Sequence, residues 1–188
     1  MPPDRATRLF EWVDHHEYQV CSRINRSLRY RPLRSYFSTV SKLGDGWIWY
    51  LLILGMPLAD PLEGSLVALQ CTVTGLCCTL LYKLLKRRLS RERPFISFPT
   101  IHCAVPPLDR YSFPSGHTLH AVCFSLVIYS NYPALGLALI PFTLSVMASR
   151  VVLGLHYPSD VAAGAIIGAA LALVSQHNLQ PWLLSVLI

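Results

Sequence analysis

Residues 114–160 read PSGHTLHAVCFSLVIYSNYPALGLALIPFTLSVMASRVVLGLHYPSD. Between His117 and Arg150 this run holds no Asp, Glu, Lys or Arg. Asn131-Tyr132-Pro133 divides it, because proline disfavours helix at the residue before it. The spacing predicts two apolar helices, about Thr118 to Ser130 and about Ala134 to Ala148, joined by a tight turn. A hairpin returns to the side it left, so His117 and Arg150 must share one membrane face. Each arm is shorter than the roughly 20 residues needed to cross a ~30 Å hydrocarbon core. The open end of the hairpin is therefore expected slightly inside the headgroup region.

The flanking sequence extends the pattern. Gly64 to Tyr82 is uncharged and continues into the basic segment Lys83 to Arg93. Val161 to Ser175 is a further apolar span, and its Gly164-x-x-x-Gly168 spacing allows close helix approach. An earlier span is predicted from about Tyr36 to Ala59. It places Lys42 and Asp45 near the interface and Trp47, Trp49 and Tyr50 in an aromatic belt. Residues 4–30 read as an amphipathic helix, with Leu9, Trp12, Val13 and Val20 near one face and Asp4, Arg5, Glu11 and Asp14 elsewhere. Such a helix either lies in the membrane interface or packs on the bundle as a solvated helix. The tail from Pro181 is apolar and suits the interface. The fold expected is all-α: an integral membrane helical bundle of about five transmembrane helices plus an N-terminal interfacial helix. Residues 1–35 form the N-terminal segment and residues 36–188 the transmembrane domain.

Composition agrees. Charged residues make up 14% of the 188 and hydrophobic ones 53%, against roughly 25% charged in a soluble chain. Lipid, not charge, must cover such a surface. The net charge of +6 does not indicate nucleic acid, because the basic residues sit between apolar runs. An anionic membrane surface or substrate accounts for them better. The N-terminal stretch mixes Arg5, Arg8 and Arg23 with acidic residues and has no apolar core, so a signal peptide is not expected there. The six cysteines show no zinc-finger spacing and no disulfide framework. Only Cys21 and Cys103 fall in polar segments.

Three polar clusters interrupt the apolar chain: Lys86 to Pro94, Pro114-Ser115-Gly116-His117, and Ser149-Arg150 through His156 to Asp160. The hairpin argument brings all three to one face. Lys86, Arg93 and Arg150 then gather three fixed positive charges. Arg presents a planar fork of donors that suits phosphate oxygens. Ser115 and the Gly116 N–H, at the start of a helix, add donors for an anion. A neutral imidazole is a competent nucleophile when a carboxylate fixes its tautomer, and His156 and Asp160 are four residues apart. His117 is then placed to protonate a leaving alkoxide. A rival reading makes His117, His156 and Asp160 metal ligands, but three neighbouring cations would repel a dication. His120 lies one turn from His117. That spacing allows it to line the pocket, but it is read, with His15, His16, His102 and His177, as a polar surface or interface residue.

Together the clusters resemble the type-2 phosphatidic acid phosphatase superfamily. Its pattern is Lys-x6-Arg-Pro, Pro-Ser-Gly-His and Ser-Arg-x5-His-x3-Asp. Lys86, Arg93, Pro94, Pro114, Ser115, Gly116, His117, Ser149, Arg150, His156 and Asp160 stand at its fixed positions. The resemblance spans about residues 64 to 176. It implies a phosphohistidine at His156 and catalytic roles for His156, His117 and Asp160. Phosphate contacts are implied from Lys86, Arg93, Ser115, Gly116, His117 and Arg150, with no cofactor and no metal. The substrate implied is a lipid phosphate or diphosphate such as phosphatidate, phosphatidylglycerophosphate, a lipid A phosphate or undecaprenyl diphosphate. Surrounding membrane lipids are the partners implied, with no nucleic acid, in a bacterial cytoplasmic membrane. A lipid-linked phosphotransferase and a non-catalytic binding or transport protein are the alternatives. The basic residues cluster on the site's side, while Asp60 and Glu63 mark the other end. The positive-inside rule points that cluster toward the cytoplasm; the resemblance implies the opposite face.

Overall fold

The computed structural model describes residues 5–187, with side chains from Leu9 to Ser185. Among the described residues every regular element is a helix, with no strand; residues 98–115 form a non-helical linker. An N-terminal helix α1 (Arg5–Asn25) leads through a short 3-10 turn into α2 (Arg31–Lys42), which continues across a kink into α3 (Ile48–Ala59). There follow α4 (Glu63–Leu89), a one-turn α5 (Pro94–Ser97), α6 (Gly116–Asn131), α7 (Pro133–Val152), α8 (Pro158–Val174) and, after a wider turn, α9 (Gln180–Leu187). Three stretches, built on α4, α7 and α8, are long and apolar enough to cross a membrane. With the composite α2–α3 and the shorter α6 they make a bundle of five elements.

The predicted hairpin is α6 and α7. Helix α6 stops at Asn131, and Pro133 opens α7 at its first position, where a missing N–H costs nothing. Helix α6 runs through the centre, packed by α4, α7 and α8. The core around it holds Trp49, Leu119, Phe124, Val127, Ile128 and Val146. The Gly164 and Gly168 spacing is used against α6. A Cβ at Gly164 would lie 2.6 Å from the Ser115 carbonyl oxygen, and one at Gly168 2.4 Å from that of Leu119. The backbones meet too closely for any side chain there.

The first crossing element differs from expectation. The helix begins at Arg31, not near Tyr36, and breaks at Leu43–Trp47. Gly46 takes φ +125°, a conformation glycine adopts without Cβ strain, and Trp49 Nε1 donates to the Gly44 carbonyl across the kink at 3.2 Å. Trp49 is therefore not in an interfacial belt. It is 2% exposed and packs on Phe124 and Phe142, whereas Trp47 and Tyr50 do face outward.

Helix α1 combines the two readings of the N-terminal segment. Its apolar Leu9, Trp12 and Val20 point outward, as an interfacial helix requires. Its docked side is mixed: Asp14, Cys21 and Asn25 are buried, and Tyr18 and Ile24 pack toward Ile101, Val151 and Tyr157. Asn25 Nδ2 donates to the carbonyls of His102 and Val152 at 2.9 and 3.0 Å, and its Oδ1 accepts the His102 N–H. Asp4 lies outside the described residues. All six cysteines are free, and Cys21 is buried under α1 while Cys103 is exposed.

Candidate active site

The ends of α4, α6 and α7, the turn before α8 and the kink between α2 and α3 close around a cavity of about 530 Å³. Lys86, Arg93, Gly116, His117, Arg150 and His156 all line it. Residues separated by up to 70 positions are thus brought together as the hairpin argument required. Lys86 ends the long α4. Arg93 is 1% exposed and precedes Pro94, which starts α5. Gly154 takes φ +74°, turning the chain so that the His156 N–H donates back to the Arg150 carbonyl at 3.0 Å. The two residues are fixed to one another by that turn.

Two predicted residues sit behind the cavity wall. Ser115 caps α6: its Oγ is within 3.0 Å of Thr118 Oγ1 and accepts the Thr118 N–H at 3.5 Å. Its hydroxyl is committed to the helix start. Asp160 is fully buried at the third position of α8. Its Oδ2 accepts the Tyr157 N–H at 2.9 Å and lies 3.5 Å from His156 Nδ1. Arg93 Nη1 stands 3.2 Å from His156 Nε2. An arginine only donates, so this contact assigns the proton to Nδ1, on the Asp160 side, and leaves the Nε2 lone pair toward the cavity. Burial first, and then the charges of Arg93 and Arg150, hold His156 well below the ordinary histidine range. It is neutral at pH 7.

Sequence reasoning missed several participants. Asp109, in the linker, receives Lys86 Nζ on both carboxylate oxygens at 2.8 and 2.7 Å and Arg93 Nη2 at 2.8 Å. Its carboxylate occupies the ground between two of the three cations. Asp45, in the kink, stands 3.3 Å from His117 Nε2. Ser41 accepts from Arg150 Nη1. His120, read from sequence as a surface or interface residue, lines the cavity and bonds Thr79 and the Gly116 carbonyl.

The largest addition is Arg91. Its guanidinium donates to Asp160 Oδ1 at 2.5 Å and Ser159 Oγ at 2.7 Å from Nη1, and to Asp14 Oδ1 from Nε and Nη2 at 2.9 and 2.5 Å. Nη2 also reaches Glu17 Oε2 at 3.0 Å. It lies over the Tyr157 ring at 4.2 Å. Burial opposes its charge, but the surrounding carboxylates outweigh burial and raise its pKa. Asp14 is raised by burial, against the pull of Arg91. Glu17 also accepts the Ser159 N–H at 2.7 Å, capping α8 from another helix. The only signal in the sequence was position: Arg91 stands within the first polar cluster.

Fold and site define a membrane helical bundle that encloses three histidines, His117, His120 and His156, and three cations at one end. The pattern of the PAP2 superfamily matches residues 66–182, and the chain belongs to that superfamily, whose membrane branch comprises metal-independent lipid phosphatases. It is similar to the undecaprenyl-diphosphatase BcrC of Bacillus subtilis, 28% identical over 62% of this chain and 60% of that one. It is also similar to a decaprenylphosphoryl-5-phosphoribose phosphatase of Mycobacterium tuberculosis, 38% identical over 48% and 49%. The matched regions thus span about half to three fifths of those relatives. The fold is shared with the transmembrane PAP2-type phosphatidylglycerolphosphate phosphatase from Bacillus subtilis. There the TM-score is 0.69 at 22% identity, and 92% of each chain is covered.

Proposed function

We propose that this protein hydrolyses a lipid phosphate in the membrane through a phosphohistidine at His156. One observation carries the reading. The cavity that holds His117, His156 and the three cations continues into an apolar wall built by Trp49, Ile53 and Leu54 of α3 and Leu76 of α4. Leu54 and Leu76 are themselves more than half exposed on the outside of the bundle. An anion cradle opening sideways onto such a surface suits a phosphate carried on a lipid tail.

The geometry supports a stepwise reaction. A phosphoryl group entering between Lys86, Arg93 and Arg150 displaces the Asp109 carboxylate and draws Arg93 from His156 Nε2. That nitrogen attacks phosphorus while the bond to the lipid oxygen breaks, and His117 gives the departing alkoxide its proton. Nδ1–H, now on an imidazolium, tightens onto Asp160. Water then attacks the phosphohistidine, His117 takes its proton, and the P–N bond breaks to release phosphate. The cations stabilise charge on the equatorial oxygens throughout. The relatives are named for undecaprenyl diphosphate, decaprenylphosphoryl-5-phosphoribose, lipid A and phosphatidylglycerolphosphate; the range proposed covers these lipid phosphates and phosphatidate, in a bacterial cytoplasmic membrane.

The test is phosphate release by purified protein over that lipid panel, with wild type and His156→Ala, with and without EDTA. Release that requires His156 and persists in EDTA is expected, together with an acid-labile phosphoprotein formed from labelled substrate. Release by His156→Ala at the wild-type rate, or its loss in EDTA, defeats the reading.

A further inference from the structure

One run of chain passes the cavity from its cationic end to its apolar end. Ser41 holds Arg150. Asp45, four residues on, pairs with His117. Trp49, Ile53 and Leu54 then form the apolar wall. A lipid phosphate with phosphorus at His156 and its tail along α3 must lay the atoms next to the phosphoryl group beside Asp45 and His117. The charge of that position is fixed by its lining. Lys86, Arg93 and Arg150 are the cations that line the cavity, and Asp45 and Asp109 are the carboxylates. Once a phosphate displaces Asp109, Lys86, Arg93 and Arg150 face the phosphoryl oxygens, while Asp45 is paired with the proton-bearing His117 on the leaving-group side. A phosphomonoester, which carries about −1.5 to −2 at neutral pH, places all of its charge among the three fixed cations. A diphosphate carries more, and its inner phosphate would be set against Asp45 with no fixed cation of its own. A carboxylate at this point instead accepts hydrogen bonds from hydroxyls, such as those of a glycerol or sugar next to the ester oxygen.

We propose that Asp45 makes this site selective for phosphomonoesters on hydroxylated lipid headgroups, against lipid diphosphates. The proposal rests on the phosphatase reading and narrows its substrate class. Asp45 then has two roles: it pairs with the histidine that protonates the leaving group, and it repels a leaving group that is itself an anion.

The experiment measures kcat/KM of the purified full chain in detergent for phosphatidylglycerophosphate, phosphatidate and undecaprenyl diphosphate, in wild type and Asp45→Asn, with His156→Ala as blank. Wild type should prefer the best monoester over the diphosphate by tenfold or more, and phosphatidylglycerophosphate, with its hydroxyl, over phosphatidate. Asp45→Asn should narrow the monoester-to-diphosphate ratio at least tenfold. Binding of a lipid methylene-diphosphonate, a diphosphate mimic that does not turn over, supplies a readout independent of catalysis. It should tighten about tenfold in Asp45→Asn, while a lipid monophosphonate should not. A wild type that cleaves the diphosphate as well as any monoester, or an unchanged diphosphonate affinity in Asp45→Asn, overturns the proposal. Loss of His156-dependent release from every lipid would instead overturn the phosphatase reading on which it stands.

Discussion

Replacing Arg91 with Ala should cost both stability and rate, and the size of the loss follows from its surroundings. The guanidinium is 1% exposed at its side chain and is shared by Asp160, fully buried, and by Asp14 and Glu17, whose side chains are 12% and 17% exposed. Removing it leaves three partly or wholly dehydrated carboxylates facing one another. Removing one partner of a buried pair costs about 3–5 kcal/mol, because the stranded charge loses its compensation and not only its bond. In a chain of this size about 1 kcal/mol moves the melting temperature roughly 2–4 °C, so a fall of about 6–20 °C is expected in detergent at fixed scan rate. The rate should fall too. Asp160 Oδ1 is held by Arg91, and without it the carboxylate that faces His156 Nδ1 at 3.5 Å is free to turn away. Misplacement of a catalytic group by about 1 Å can cost on the order of 100-fold. Arg91→Lys keeps the charge but cannot span three carboxylates from one ammonium, and should fall between wild type and Arg91→Ala. Glu17→Gln, which keeps the shape of the α8 cap, should lower kcat without raising KM. Differential scanning fluorimetry with phosphate release at saturating lipid reads both effects. An Arg91→Ala protein that melts within about 2 °C of wild type and turns over within about twofold would refute the reasoning.

Three further outcomes are expected. His156 has its folded pKa depressed, so the folded state binds fewer protons than the unfolded one as pH falls below 6.5. Stability is therefore full above pH 6.5 and declines as pH falls toward the folded value, and the nucleophile's acid limb in kcat/KM should lie below 6.5; a limb assigned to His156 above that pH contradicts the burial argument. Gly168→Val places a branched side chain where a Cβ would already sit 2.4 Å from the Leu119 carbonyl, and should destabilise by at least the roughly 1–3 kcal/mol of an overpacked core; an unchanged melting temperature would mean α6 and α8 are farther apart. Cys103, exposed in the linker, should react with a maleimide in intact cells or inverted vesicles according to the face that carries the site. Cys21, buried and pushed up to about 12 chiefly by burial, should resist until α1 detaches; equal labelling of the two would contradict the docking of α1.

Local pattern was enough to place the hairpin, since an uncharged run with a proline in the middle has few other solutions. It was enough for the cations too, because a charge inside an apolar chain is conspicuous. What stayed hidden was pairing at a distance. Asp14 is 77 positions from Arg91, and nothing in the spacing of an amphipathic helix says which face docks. Here one side of α1 docks through Asp14, Cys21 and Asn25, while Leu9, Trp12 and Val20 look outward beside Glu11, His15 and Arg23. Asp45 was legible only as a charge near a predicted helix end. Its meaning came from Gly46, whose positive φ turns the chain inward and makes Asp45 the partner of His117. Asp109 lies in a linker without periodicity, where sequence offers no direction for a side chain.

The two histidine–carboxylate pairs are not equivalent, and their difference bears on which histidine does what. Asp160 is saturated: Arg91 holds one oxygen and the Tyr157 N–H the other. Burial nonetheless outweighs the pull of Arg91 and raises the Asp160 pKa to about 6; a carboxylate so fixed is well placed to hold a tautomer and to stabilise a cation formed beside it. That suits a nucleophile, which must offer Nε2 unprotonated and then bear positive charge. Asp45 is 40% exposed at its side chain and faces the cavity, where protons exchange with water and with the leaving group. That suits an acid that becomes a base within one turnover. Environment, and not residue type, separates the roles of paired groups, and here it favours His156 as the attacking residue and His117 as the proton carrier on grounds independent of any family pattern.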